Sequence, residues 1–303
     1  MALRAILVGA GRMGLTHMAQ LNLLTDFAIR WTVVEPSAAV RAGLGFFLPA
    51  DMLEATASAP GKARGSFDLA LVTSPTMHHD SAWQALKGRA ERVLVEKPLR
   101  VENPEPHLLC GYVLLHHPLQ QRLRAAIGTS AVTDVRLALR ANTVLGPNSG
   151  WRGRKAAGGG VLNEFGSHLL SLALDVAGPV EALDLVEATT VHSVDVPDRA
   201  RLTGTSASGA TLALSLDWTD PAVRKPSYTV EVRLADGRTL AHDFYEFVEG
   251  NTRVSIAELP SNAGVYLRGL EFTAQARHFL EAPSFARELE IATGVDRLLE
   301  RLS

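Results

Sequence analysis

Leu3-Arg4-Ala5-Ile6-Leu7-Val8-Gly9-Ala10-Gly11-Arg12-Met13-Gly14 begins as an apolar run and turns at once into a glycine pattern. Leu3 to Val8 reads as a buried strand and Met13 to about Leu24 as a helix, the strand–turn–helix context that a GxGxxG fingerprint needs to carry meaning. Gly9 permits the tight turn and Gly11 lets backbone approach a pyrophosphate. Gly14 lets helix and strand pack closely, and the helix amino terminus faces the anion. Gly9, Gly11, Arg12, Met13 and Gly14 are therefore candidate dinucleotide contacts. The next strand, Trp31 to Val34, ends in Glu35, about 20 residues past the last glycine, where a carboxylate binds the adenosine ribose hydroxyls. Such a carboxylate repels a 2′-phosphate, so NAD is expected over NADP. Ser37 and Arg41 lie close enough to leave NADP possible.

A further strand, Leu69 to Thr73, runs into Ser74-Pro75-Thr76-Met77-His78-His79. This loop shares the carboxyl edge of the sheet, where open α/β sheets bind ligands. Ser74, Pro75 and His78 are candidates for the nicotinamide end of a cofactor; a solvated helix start is the plain alternative. Val93-Leu94-Val95 ends in Glu96-Lys97-Pro98, which places a lysine at the same edge, either for chemistry or as an ordinary strand-end cation. Beyond it, Arg100 to His107 contains Pro104 and Pro106 and is too short for a full crossover helix before the expected strand Leu108 to Leu115. The helix Pro118 to Ile127 is expected to close a dinucleotide-binding domain, 1–128.

From 129 to 303 the grammar changes. Val132 to Ala141, Thr211 to Trp218 and Tyr228 to Leu234 alternate apolar and polar residues, and Ser208-Gly209 and Asp236-Gly237 supply hairpin turns. The expected fold class is α/β: an N-terminal doubly wound parallel sheet of Rossmann type, then an α+β domain with a large open, mostly antiparallel sheet. Helices near Leu267 to Leu280 and Phe285 to Leu302 cover one face or return to the first domain. An apolar sheet face that two helices cannot fully cover predicts a homodimer or homotetramer.

Gly158-Gly159-Gly160 precedes an expected helix from Val161 to about Ala177. Leu162, Phe165, Leu169, Leu172, Ala173 and Val176 make its apolar stripe, and Glu164, His168, Ser171 and Asp175 fall on a separate polar line. The plain reading of that line is a solvated face, while three glycines ahead of it suggest that something bulky approaches the first turn.

Composition bounds the partners. With 47% hydrophobic and 20% charged residues and a formal charge of -2, nothing draws the chain toward nucleic acid or an anionic membrane. The single cysteine, Cys110, lies in an apolar run and reads as a buried reduced thiol, which suits the cytoplasm. No apolar run approaches the roughly 20 residues needed to span a bilayer, so a soluble protein with a small-molecule substrate is expected.

Taken together, Gly9 to Gly14, Glu96-Lys97-Pro98, Trp151-Arg152 and Gly158-Gly159-Gly160 through His168 resemble the Gfo/Idh/MocA oxidoreductase family over nearly the full length. The resemblance implies a Rossmann domain for NAD or NADP, an open-sheet second domain, and a catalytic group formed by the Lys of an EKP motif with an Asp-x-x-x-His helix. By position these are Lys97, Glu164 and His168. Glu96 and Lys97 are also placed at the cofactor, and Trp151, Arg152, Lys97 and His168 at the substrate. Glu164 departs from the family aspartate by one methylene, the helix after EKP is much reduced, and Leu114-Leu115-His116-His117 stands where an arginine is often found.

Oxidising a secondary alcohol needs a base for the hydroxyl proton while hydride leaves for the nicotinamide, which suits His168. Lys97 would stabilise the developing alkoxide, and Glu164 would orient the imidazole or pass on its proton. No metal is expected. The leading expectation is an NAD(P)-dependent dehydrogenase or reductase acting on a sugar, cyclitol or related polyol. Two alternatives stay open: a dinucleotide-binding sensor without turnover, similar to the galactose-regulon repressors of yeasts, and a biliverdin-reductase-like enzyme.

Overall fold

The computed structural model describes residues 2–26, 28–259 and 269–302. Packing divides the chain into two units, Met1–Gly111 with Ala263–Glu290, and Tyr112–Asn262 with Ile291–Ser303.

In the first unit β1 (Leu3–Val8) is followed by α1 (Arg12–Leu24), β2 (Ile29–Val34), α2 (Ala38–Phe47), β3 (Leu53–Ala57), β4 (Phe67–Val72), α3 (His79–Leu86), β5 (Ala90–Val95) and β6 (Leu108–Cys110). The strands form one six-stranded parallel sheet in the order β3-β2-β1-β4-β5-β6. This is the doubly wound order, with its reversal between β1 and β4. The register pairs Val8 with both Val34 and Val72, and Val72 with Val95. The residues that follow, Gly9, Glu35, Thr73 and Glu96, therefore share one carboxyl edge. The central strands are apolar on both faces because helices cover both. One face packs Leu7, Met18, Leu21 and Trp31 with Ala276 and Phe279 of the helix Leu270–Glu281, whose Thr273 hydroxyl accepts a hydrogen bond from Gln20 of α1 at 2.8 Å. That helix thus belongs with the first sheet; its expected first residues, 267 and 268, lie outside the described residues.

In this unit β3 and α2 were not legible in the sequence, and one strand is shorter than expected. β3 is an edge strand, largely exposed, so its residues LEATA carry no apolar alternation. Gly43 and Gly45 interrupt the helical pattern of α2. The strand expected from Leu108 to Leu115 stops at Cys110, and Val113–His116 forms a 3-10 turn.

The second unit holds α4 (Pro118–Ile127), β7 (Val132–Arg140), α5 (Ser167–Ala177), β8 (Val180–Thr189), β9 (Arg199–Ser206), β10 (Thr211–Asp217), β11 (Ser227–Leu234), β12 (Thr239–His242), β13 (Glu246–Glu249) and β14 (Thr252–Ser255). Its eight-stranded sheet runs β14-β13-β12-β11-β7-β10-β9-β8, antiparallel except where β7 meets β10. α4, expected to end the first domain, packs against β12 and β13, with Gln120 bonded to His242 at 2.7 Å and the Arg122 guanidinium 5.2 Å from the Phe247 ring. Packing therefore separates the units at Gly111/Tyr112 rather than at 128.

α5 packs on β7, and the alternating residues Leu137, Leu212, Leu214, Leu216, Val230 and Val232 are buried. On the outward face Ala138, Ala213, Ser215 and Thr229, with Val186 and Val248, line a groove of about 610 Å³ flanked by Arg136 and Glu231. Period-two alternation sends the apolar set to the helix side, leaving short side chains outside. Among the described residues no helix is long and apolar enough to cross a membrane.

Candidate functional site

At the carboxyl edge of the first sheet each glycine of the fingerprint has a distinct geometric reason. Gly9 has φ +98, and a Cβ there would lie 2.8 Å from the Ser74 amide nitrogen. A Cβ on Gly14 would run into the Gly9 carbonyl and lie 2.6 Å from the Thr73 hydroxyl. That hydroxyl donates to the Gly9 carbonyl at 2.7 Å, tying the glycine turn to the end of β4. Gly11 differs: it caps α1 in extended backbone with nothing within 4 Å of a Cβ. Its openness is not needed for packing. The first-turn amides at Gly11, Arg12, Met13 and Gly14 have no partner within the helix, so this is a cradle ready for an anion. The buried Ser74 hydroxyl, beside the same turn, has no hydrogen-bond partner among the described residues.

Glu35 stands at the tip of β2. Its carboxylate accepts from the Ala10 amide at 3.2 Å and the Ser37 amide at 3.0 Å. Ser37 caps α2 through Val40, and Arg41 donates to the Glu35 and Pro36 carbonyls at 2.5 and 2.8 Å. Arg41 is thus engaged beneath the loop.

Glu96 is buried and its Oε1 accepts from His17 Nε2 of α1 at 2.8 Å, while Oε2 accepts from the Lys97 amide at 3.2 Å. Burial alone would raise its pKa, but the hydrogen bond and charge of His17, with the charge and amide of Lys97, bring it down to about 2. A Cβ on Gly111 would lie 3.1 Å from Glu96 Oε2, so Gly111 leaves the carboxylate its place. Lys97 is half-buried and joined to Pro98 by a cis peptide. Of the loop after β4, Pro75 and His78 are exposed, whereas His79 is buried and tied to the sheet edge. His17 and His79 were passed over in the sequence because each points to a partner far along the chain.

In the second unit, the expected helix from Val161 is not α-helical throughout. Leu162–Gly166 is a π turn, which hands over to α5 at Ser167. A π turn is wider than an α turn and is often found at functional sites. Glu164 Oε2 accepts from Arg152 Nε at 3.3 Å, and the Arg152 guanidinium lies 4.5 Å from the Trp151 ring centroid. His168 is half-buried, edge-on to Tyr112 with ring centroids 6.0 Å apart. Trp151, Arg152 and Glu164 are therefore one group. The polar line is also not a solvated face: Ser171 and the Asp175 side chain are buried, with Asp175 bonded to Gln120 at 2.6 Å.

The glycine triplet has a local cause. A Cβ on Gly159 would collide with the Trp151 and Arg152 carbonyls, and the Gly160 amide donates to the Arg152 carbonyl at 2.8 Å. What approaches the helix start is the chain's own Trp151–Gly153 turn. That turn is held in place by a carboxylate the sequence did not single out. Asp198 Oδ2 accepts from the amides of Val191, His192 and Ser193, and Oδ1 from the Ser193 hydroxyl and Trp218 Nε1. Burial opposes its charge, yet these bonds hold its pKa at about 2. The loop it orders meets Asn148 through Ser193 and donates from Val194 to the Gly153 carbonyl. Among the described residues no group of three or more His, Cys, Asp or Glu side chains could hold a metal ion.

Residues 121–238 match the model of the GFO/IDH/MocA C-terminal domain, the family that the sequence motifs resemble. Levoglucosan dehydrogenase, solved in complex with NADH and L-sorbose, superposes with a TM-score of 0.78 at 17% identity, covering 98% of this chain and 96% of the other. A myo-inositol dehydrogenase from Corynebacterium glutamicum gives 0.71 at 17% identity, covering 99% and 96%. GenD2 from gentamicin A biosynthesis, in complex with NAD, gives 0.72 at 20% identity, covering 97% and 92%. At these identities the likeness is one of fold. No curated protein sequence matches the chain.

Proposed function

We propose that the chain is an NAD-dependent oxidoreductase that moves a hydride between nicotinamide and a secondary alcohol or ketone of a sugar, cyclitol or related polyol. The observation that carries this reading is the cradle at Gly11, open where packing does not require it, beside a Glu35 carboxylate presented at the tip of β2. The nucleotide-bound relatives of the same fold support it. When bound, the nicotinamide supplies the hydride acceptor or donor. The chain's part is to place the dinucleotide and manage the proton. The α1 amides hold the pyrophosphate, and Glu35 accepts from the ribose hydroxyls and disfavours a 2′-phosphate. Lys97 stabilises negative charge on the reacting oxygen, and His168 takes the hydroxyl proton in oxidation or returns it in reduction. Trp151 and Arg152 offer a ring face and donors to the substrate, with Glu164 fixing the guanidinium.

Screening NAD(H) turnover over sugars, cyclitols and their acids tests this; turnover of none, with dinucleotide binding intact, would favour the sensor. The pairing of Glu164 with Arg152 is the observation that favours that second reading, because it gives the carboxylate a partner besides the expected His168. We further propose a cytoplasmic homodimer or homotetramer assembled through the outer face of the second sheet, whose short side chains allow close approach of another sheet.

A further inference from the structure

The segment after Lys97 lacks a crossover helix, and α3 holds it in place instead. Trp83 Nε1 and Gln84 Nε2 donate to the Glu102 carbonyl at 3.1 and 3.2 Å, and Asp80 accepts from the Glu102 amide at 2.8 Å. Lys87 donates to the Asn103 carbonyl at 3.3 Å. The segment needs such support, since Arg100 and Asn103 both have φ +47, a region that disfavours residues other than glycine. At the head of α3, nearest Lys97, the buried His79 ring is held from both sides. Its Nδ1 lies 3.0 Å from the Pro98 carbonyl and 3.3 Å from that of Leu99, and its Nε2 lies 3.0 Å from the Ser74 carbonyl.

We propose that His79 is a positioning residue for Lys97: its imidazole clamps the loop after β5 to the loop after β4, fixing where Lys97 stands relative to the cofactor edge. The catalytic part of this rests on the oxidoreductase reading above. The neutral ring that burial favours donates to one loop and packs against the other: with its proton on Nδ1 it bonds the Pro98 and Leu99 carbonyls, with its proton on Nε2 that of Ser74. Burial pushes its pKa down, against the pull of the three carbonyls and Glu96. A leucine of similar size keeps the packing but removes every donor, whereas glutamine retains one.

The test is hydrogen exchange by mass spectrometry on full-length wild type, His79→Leu and His79→Gln, alongside NADH affinity by calorimetry and turnover below the melting temperature of each. Expected for His79→Leu is exchange at 99–103 faster by about fivefold to tenfold, with 93–95 unchanged. Turnover should fall about 10- to 100-fold as Lys97 loses its place, with NADH affinity nearly intact. His79→Gln should fall between the two, and carries the same comparison if the leucine variant does not fold. Unchanged exchange at 99–103, exchange raised evenly through α3 and the strands, or faster exchange with undiminished turnover would each overturn the proposal. A wild type that binds no dinucleotide would instead overturn the functional reading, leaving the exchange comparison to decide the clamp.

Discussion

His17 Nε2 stands 2.8 Å from Glu96 Oε1, joining the first helix to the end of the fifth strand across 79 residues of sequence. Both groups are buried, so the pair ties the glycine turn's helix to the Lys97 loop in a medium where an unpartnered carboxylate is costly. Glu96 titrates at about 2 when folded against an ordinary 4.5. A depressed carboxyl stabilises the fold above its unfolded value and loses that contribution as pH falls through its folded one. The window is therefore about pH 4.5 down to 2, and the contribution is of order 3 kcal/mol. Acid unfolding followed by circular dichroism should show Glu96→Gln less stable at neutral pH and flatter across that window. A variant that tracks the wild type through it would rule out the assignment.

Gly11 and Gly14 separate binding from folding. Gly11→Ala has room for its methyl, so thermal stability should hold, while dinucleotide affinity drops about 10- to 100-fold because the methyl occupies the pyrophosphate's path. Gly14→Ala pushes into the Gly9 carbonyl and should lower the melting temperature as well. Calorimetry and a thermal melt on the same samples distinguish the two; equal NADH affinity in Gly11→Ala and wild type would count against the cradle.

The proposed role of Glu35 is to set the cofactor preference. NADH should bind more tightly than NADPH, and Glu35→Ser should narrow or reverse the gap by removing like-charge repulsion. Arg41, bonded to two backbone carbonyls, is not expected to rescue NADPH in the wild type. A wild-type titration preferring NADPH would contradict this.

The chemical step is assigned to His168 and Lys97. His168→Asn and Lys97→Met should each lower turnover about 10²- to 10⁴-fold with dinucleotide affinity nearly intact. Glu164→Gln should cost less than either. Its coupling to Arg152 in a double-mutant cycle should be about 0.5 kcal/mol, because Arg152 is 38% exposed and water screens the pair. Near-wild-type rates in His168→Asn would remove the proposed base.

The proposed assembly predicts that Ala213→Glu, on the outward face of β10, converts the oligomer to monomer in light scattering without loss of melting cooperativity. A wild type that is already monomeric at micromolar concentration would dismiss it.

The first unit was legible wherever a local pattern had a local cause. Leu3 to Val8 with Gly9, Gly11 and Gly14 foretold a strand, a turn and a helix start, and all three stand where expected. Alternation in Thr211 to Trp218 and Tyr228 to Leu234 likewise foretold half-buried strands. The edge strand Leu53–Ala57 escaped because a strand buried on neither face leaves no hydrophobic signal.

What only tertiary structure decided are the partnerships between distant residues. Gly159 looked like room for a ligand and turned out to be room for the Trp151–Gly153 turn, while Gly160, at φ +100, sits against Val196. Glu164 looked like part of a helical line with His168; it stands in a π turn, and its carboxylate meets Arg152 from a turn 12 residues back. His17, His79 and Asp198 carry no signature at all, because a buried polar side chain is explained by the group that satisfies it. That group is chosen by the fold, 79 residues away for His17, 19 for His79 at Pro98 and 20 for Asp198 at Trp218, while the chain's own spacing specifies only which side chains share a face.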